Sequence, residues 1–289
     1  MIGCVLAIIV GVGFFAGWQY FIHNRTKQEI FKKVEEISYL ESLKYENLKV
    51  GFWRNRFDLR NVSLKIKGVK EIVRAKEISI FNVKINNGHL LCLNVEIKGI
   101  GIPLKSILSN ESYQIPDVEN PDELLSSVGW FYQFDPDHRV LTLENIKIIA
   151  PKLAKLEANI RLINLDPSTI LLNNMAGLLP QLLGISISQA GVVYNDHSLL
   201  EKIVSTQKYS TESDSPATLE MISVNVNQML QKEKNEKTRT VLEHFLKFLN
   251  NPEKLHITLS PEKPVPLGRF LWVRHLKEVV ELLNIKIET

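Results

Sequence analysis

The sequence predicts an α+β chain: an N-terminal transmembrane helix, then a curved, mostly antiparallel β-sheet, with helices covering or inserted in its second half. Three observations predict it. An apolar run without a charged side chain occupies residues 2–22. Between residues 46 and 165 hydrophobic residues recur at every second position over long stretches. Beyond Asp166 several segments change to helical spacing. The chain divides accordingly into an anchor (1–24), an amphipathic linker helix (25–45), an antiparallel sheet (46–165) and a mixed α/β part (166–289) packed on or continuing the sheet.

The first element decides where everything else works. Gly11, Gly13 and Gly17 sit in "GVGFFAGWQYFIHNRTK". Their spacing, G-x-G-x-x-x-G, misses the dinucleotide-binding fingerprint, and no strand precedes them. About 21 apolar residues make roughly 30 Å of helix, enough to cross a bilayer core. Trp18, Tyr20 and His23 fall at the level of an interfacial belt. A cleavable signal fits less well, since cleavage after Ala16 would leave the bulky Phe14 at the −3 position. Gly13 and Gly17 form a small-x-x-x-small pair suited to helix pairing inside a membrane. Arg25, Lys27, Lys32 and Lys33 follow the span and argue, by the positive-inside rule, for a cytoplasmic bulk.

The linker helix is read from Ile30, Val34, Ile37 and Leu40, which share one helical face. The period then drops to two. In "VSLKIK" Val62, Leu64 and Ile66 alternate with polar residues, and in "LCLNVEIK" Leu91, Leu93, Val95 and Ile97 do the same. Residues 76–85 alternate with a slip at Phe81 that predicts a bulge. Asn86-Asn87-Gly88 predicts the hairpin turn. Prolines 103, 116, 121 and 136 interrupt the pattern, and "PDELLSSVGWFYQF" is read as a short helix. Strands resume at 139–149 and 153–163, the second with Ala154, Leu156, Ala158, Ile160 and Leu162 on one face.

Asp166-Pro167 has the pattern of a helix start, and "ILLNNMAGLLPQLL" reads as helical until Pro180. "GISISQAGVVYN" is a strand. A helix begins at Asp196 or Ser198, and two more span 216–230 and 235–250 around the charged hinge "QKEKNEK". "KLHITL" is a strand, 268–283 a last helix and "NIKIE" a last strand.

Composition excludes several classes. A hydrophobic content of 45% with 23% charged residues describes a folding chain. Two cysteines, Cys4 and Cys92, make neither a disulfide framework nor a zinc site. Residues 1–110 hold 17 Lys and Arg against 9 Asp and Glu. This basic half suits proximity to anionic headgroups or the protection of strand edges. There is no dense basic run with interleaved aromatics, so no nucleic-acid partner is expected.

No catalytic motif, cofactor fingerprint or metal-ligand spacing occurs. Asp135, Asp137 and His138 could face a hard cation, but a polar turn before a strand accounts for them. "YNDHS", Tyr194 to Ser198, gathers an acid, a base and a hydroxyl where a helix start wants capping groups. The expectation is a non-enzyme without cofactor or metal. Its candidate functional positions are those of the apolar sheet face: Leu91, Leu93, Val95, Ile97, Leu156, Ile160 and Leu162. They line either a sealed core or an open trough for acyl chains.

The segment "LKVGFWRNRFDLRNVSLKI" followed by "IVRAKEISIFNVKI" resembles the start of AsmA-like proteins of the Gram-negative envelope. The strand pattern is Phe57, Leu59, Asn61, Val62 and Leu64, and the next strand carries Ala75, Ile78 and Ile80. The resemblance covers 60–70 residues. It implies an inner-membrane, single-pass protein facing the periplasm, with a non-catalytic role in envelope lipid handling or outer-membrane assembly. The partners implied are phospholipid or an envelope protein. The alternatives are a membrane-tethered scaffold with a sealed core whose helices 216–250 dock a protein, and an unrecognised enzyme.

Overall fold

In the computed structural model the described residues are 40–51, 56–66, 72–86, 89–103, 123–165, 182–202 and 218–289. All twelve of their strands join one antiparallel sheet. In chain order these are β1 (Leu40–Lys44), β2 (Asn47–Gly51), β3 (Arg56–Ile66), β4 (Ile72–Asn86), β5 (His89–Pro103), β6 (Glu123–Asp135), β7 (Val140–Ala150), β8 (Ala154–Ile163), β9 (Ser186–Asp196), β10 (Lys254–Leu259), β11 (Val265–Pro266) and β12 (Ile285–Glu288). From β3 to β10 each strand pairs with the next in sequence, and β12 closes the far edge against β10. At the near edge β1 and β2 pair successively along β3. At the far side β9 gives its first residues to β11 and the rest to β10.

The alternating sequence accounts for the register. Each strand must put its apolar set on the same side as its neighbour's, and a slip of one residue would invert the set. One row runs Leu59–Ile78–Ile97–Val128–Ile148–Leu156–Tyr194–Leu255, each residue facing the next across a strand pair.

Where the sequence breaks strict alternation, a residue in the left-handed region absorbs the extra step. Asn61, Asn82 and Asn145 have φ of 51°, 57° and 52°. Asparagine tolerates this conformation better than other side chains. Asn82 lies within the register shift between Phe81 and Lys84, the slip read from the sequence. Asn145 lies within that between Leu143 and Ile146. Because of it, Leu141 and Leu143 share a face with Ile146 and Ile148 although their parity differs.

Among the described residues, the three longest helices follow β9: α1 (Thr218–Lys232), α2 (Glu236–Asn250) and α3 (Leu276–Leu283), besides a helical turn at 199–202 and a 3-10 turn at Leu267–Leu271. Asn235 caps α2, its Oδ1 accepting the Thr238 N–H at 3.0 Å, and its Nδ2 donates to Glu281 of α3 at 2.8 Å. Val241, Leu242 and Phe248 of α2 are buried; α2 packs on β10 and β12, and α3 on α2 and β12. A smaller cluster at the other end, Phe134, Leu141, Leu165 and Ile185, is joined by Leu182 and Leu267. Leu48, Leu59, Val62 and Ala75 form the core of the near edge.

The structure corrects the expected fold class. The described chain is mostly antiparallel β rather than a sheet succeeded by a mixed half, since β9 to β12 belong to the same sheet. The segment read as a helix around 121–134 is β6. Its Ser126, Val128, Trp130, Tyr132 and Phe134 alternate onto the apolar face, and that period outweighs the helix-forming Glu-Leu-Leu at its start. Residues 40–44, assigned to the linker helix, are the strand β1, paired with β3.

The expected membrane address is corrected too. Residues 2–22, with Gly13 and Gly17, and residues 27–39 lie outside the described residues, as does the helix expected from Asp166-Pro167 to Pro180. Among the described residues no helix is long and apolar enough to cross a membrane. The single-pass anchor and the inner-membrane, periplasm-facing location read from the sequence are therefore withdrawn.

Candidate functional site

The sheet presents two chemically different faces. On the apolar side Leu93 faces Tyr132, which faces Leu143, which faces Ile160. Ile97 connects in the same way through Val128 and Ile148 to Leu156, and Leu162 faces Leu141. Leu91 lies two residues before Leu93 and on its side. The predicted positions from the two halves of the sheet are thus brought onto one face. Val95 is buried at 6% exposure, whereas the other six predicted positions are half-buried, and Ile148, which the sequence reading left out, is 43% exposed in the centre of the row.

This face is closed at its β9 end. Tyr194 packs edge-on against Phe248 of α2, and its hydroxyl donates to Asp196 Oδ1 at 2.5 Å. Burial, then the Asp196 hydrogen bond and charge, holds the Tyr194 phenol protonated far above the ordinary tyrosine range. Asp196 Oδ1 also accepts the Leu200 N–H at 3.2 Å, and Ser198 donates to the Lys152 carbonyl. The "YNDHS" cluster is thereby spent on a strand-to-helix junction.

The opposite face is polar and partly self-satisfied. Arg56 donates to Asp58 at 2.8 Å and to Ser79 at 3.3 Å, and its guanidinium lies 5.8 Å from the Phe81 ring. Glu77 sits between Arg60 and Lys98 at 4.0 and 3.8 Å. Glu157 sits between Lys155 and Lys147 at 3.1 and 3.5 Å, which lowers its carboxyl below the usual range. Such exposed pairs contribute little stability each but keep the charges occupied.

Two open concavities lie on this polar face. The larger, 870 Å³, is built on the row Gln133–Thr142–Arg161–Gln189, four residues directly opposite one another on β6 to β9, with Glu144 and Asn159 beside them. The smaller, 350 Å³, is lined by Phe81, Asn94, Phe131 and Lys147 among others. Asn145, at the β7 bulge, lines both. Gly191 faces Asn159, and a Cβ there would stand 3.1 Å from Asn159 Oδ1, so the absent side chain leaves the amide its place.

At the rim, Asp135 Oδ1 accepts the backbone N–H groups of Asp137 and His138 at 3.0 and 3.2 Å, and Oδ2 lies 2.7 Å from His138 Nδ1. The contact raises the His138 pKa and lowers that of Asp135. Among the described residues no group of three or more His, Cys, Asp and Glu is placed to hold a metal ion. The groove residues escaped the sequence reading because each is an ordinary polar position of a strand. Only the register, fixed partly by the Asn145 bulge, brings them together.

A family model described as "Uncharacterized protein" matches residues 147–289, from within β7 to the last residue. No curated protein matches the chain.

Proposed function

We propose that the protein is a non-catalytic binding protein that holds an acyl chain of a lipid along the apolar face of its sheet. The observation that carries this reading is the eight-strand row from Leu59 to Leu255 with Ile148 exposed at its centre. Leu59 and Leu255 at its two ends are buried, and the open stretch from Ile78 to Leu156 crosses four strand spacings of ~4.8 Å, roughly 19 Å, the scale of an extended acyl chain. Half-buried apolar surface of this length calls for a partner. The resemblance of the strands at Phe57–Leu64 and Ala75–Ile80 to AsmA-like sheets supports the same reading.

The test uses the full-length chain. Organic extraction followed by mass spectrometry should recover acyl lipid from the wild type and from Lys147→Gln, which changes the opposite face. Ile148→Glu should lose most of it. Lipid-free wild-type protein that also fails to bind a fluorescent fatty acid ends the proposal.

A second reading has its own observation. On α1, Met221, Ile222, Val224 and Met229 are exposed, while Val226 packs inward. That surface favours a protein docking on the helices, with the sheet as scaffold. Loss of a bound protein in Ile222→Asp/Met229→Asp, with lipid content unchanged, would select it.

A further inference from the structure

The polar face carries a site that the lipid reading does not use. Elsewhere on this face the charged groups are consumed by one another: Arg56 with Asp58, Glu77 with Arg60 and Lys98, and Glu157 with Lys147 and Lys155. Over the larger concavity that stops. Gln133, Thr142, Glu144, Asn159, Arg161 and Gln189 all point into the groove, and among the described residues no hydrogen bond or ion pair occupies their side chains. They come from four consecutive strands, so the groove is a property of the assembled sheet.

Their chemistry restricts the ligand. Three carboxamides and a hydroxyl each offer a donor and an acceptor, one carboxylate only accepts, and one guanidinium only donates. The Glu144 and Arg161 charges cancel, and Asp135, the other carboxylate of the lining, is paired with His138 at the rim. An anion would be met by the Glu144 carboxylate and a cation by Arg161, whereas an apolar ligand would strand all six groups. A neutral molecule dense in hydroxyls, each both donor and acceptor, matches the set.

The smaller concavity continues the groove past Asn145 and adds two features. Phe81 and Phe131 flank Asn94 across the β4–β5 and β5–β6 pairs, giving apolar plates next to Glu96 and Lys147. Asn94 Oδ1 is buried without a hydrogen-bond donor. A buried acceptor left unpaired costs stability, and a hydroxyl pairs with it once the Asn94 side chain turns toward the groove. The larger cavity falls in the range of roughly 300–1,000 Å³ typical of ligand sites.

We propose that this groove binds a neutral oligosaccharide, hydroxyls hydrogen-bonded along Gln133, Thr142, Arg161 and Gln189 and the flat face of a ring laid on Phe131. The site lies on the side of the sheet away from the apolar row and is independent of it.

The test is saturation-transfer NMR and calorimetry on the full-length chain with four named probes: cellohexaose, chitohexaose, maltohexaose and, as a charged comparison, hexagalacturonate. At least one neutral hexasaccharide should bind. Asn159→Ala/Gln189→Ala, changing two exposed side chains, should weaken it by about tenfold or more. Gly191→Val, which crowds Asn159 without removing any polar group, should weaken it as well, and Ile148→Glu should leave it unchanged. Three outcomes overturn the proposal: no neutral probe binds at millimolar concentration, the double variant binds as the wild type does, or hexagalacturonate is preferred.

Discussion

The ring of Tyr194, on β9, stands edge-on to the ring of Phe248, on α2, with centroids 5.9 Å apart and planes at 81°. This contact fastens the helical hairpin to the sheet. Phe248 is 5% exposed, so its truncation leaves a cavity at the junction as well as losing apolar burial. Phe248→Ala is expected to destabilise by about 3–5 kcal/mol in chemical denaturation. Tyr194→Phe keeps the ring and removes only the hydroxyl bond to Asp196, so about 1 kcal/mol is expected. Spectroscopic titration should show one tyrosine that stays protonated beyond the others and is absent in Tyr194→Phe.

The two faces of β5 make opposite demands on substitution. Val95 is buried between Ile80 and Trp130, while Glu96, the next residue, is on the polar face. Val95→Asp would bury a carboxylate without a partner, and a loss of several kcal/mol is expected. Glu96→Gln should change stability by no more than about 0.5 kcal/mol. Equal effects on the denaturation midpoint would mean that the β5 register is wrong.

The rim pair Asp135–His138 gives a pH signature. The Asp135 hydrogen bond and charge raise the His138 pKa, so the folded state binds that proton more tightly than the unfolded chain. The associated stabilisation is complete below the ordinary histidine value of about 6.5 and is lost as pH rises through the folded-state value. The Asp135 pKa is lowered by the same contact and by backbone N–H donors. Its share is present above the ordinary aspartate value of about 3.9 and is lost as pH falls through the folded-state value. An NMR titration should find the His138 ring titrating above the ordinary range, and Asp135→Asn should return it there. A wild-type ring titrating at or below that range rules the contact out.

How much of this was legible depended on the range of the cause. Strands β5 and β8 follow from the alternation of Leu91 to Ile97 and Ala154 to Leu162, a local signal. The α1–α2 pair follows from helical periodicity and the charged link between them. β6 was misread because Glu-Leu-Leu favours a helix locally, while alternation through Ser126, Val128 and three aromatics is legible only against its neighbours. The parity slips had a usable signal: Asn61-Val62, Asn82-Val83 and Asn145-Ile146 each place asparagine before a β-branched residue, the last two at bulges. The polar groove had none, for Gln133, Thr142, Arg161 and Gln189 are separated in sequence and meet only through three strand registers.

The last prediction concerns the kink that crosses β3, β4 and β5. Asn61, Lys76 and Gly99 occupy one position across the three strands, between the pairs Arg60–Glu77 and Val62–Ala75 and between Glu77–Lys98 and Ala75–Ile100. There the apolar parity changes, with Leu59 and Ile97 on one side of the kink and Val62 and Ile100 on the other, all on the same face. Gly99 makes the step with φ of 63°, and a Cβ there would stand 2.7 Å from the Lys76 side chain. Gly99→Ala therefore carries two costs: a left-handed conformation for a residue with a Cβ, about 1–2 kcal/mol, and a collision that the Lys76 chain can relieve only by moving. Adding Lys76→Ala removes much of the second cost and none of the first. The double variant should recover part, not all, of the stability lost in Gly99→Ala, measured against Lys76→Ala alone in a denaturant series. Full recovery would make the clash the whole cause. No loss in Gly99→Ala would mean that the chain crosses from Ile97 to Ile100 without the left-handed step.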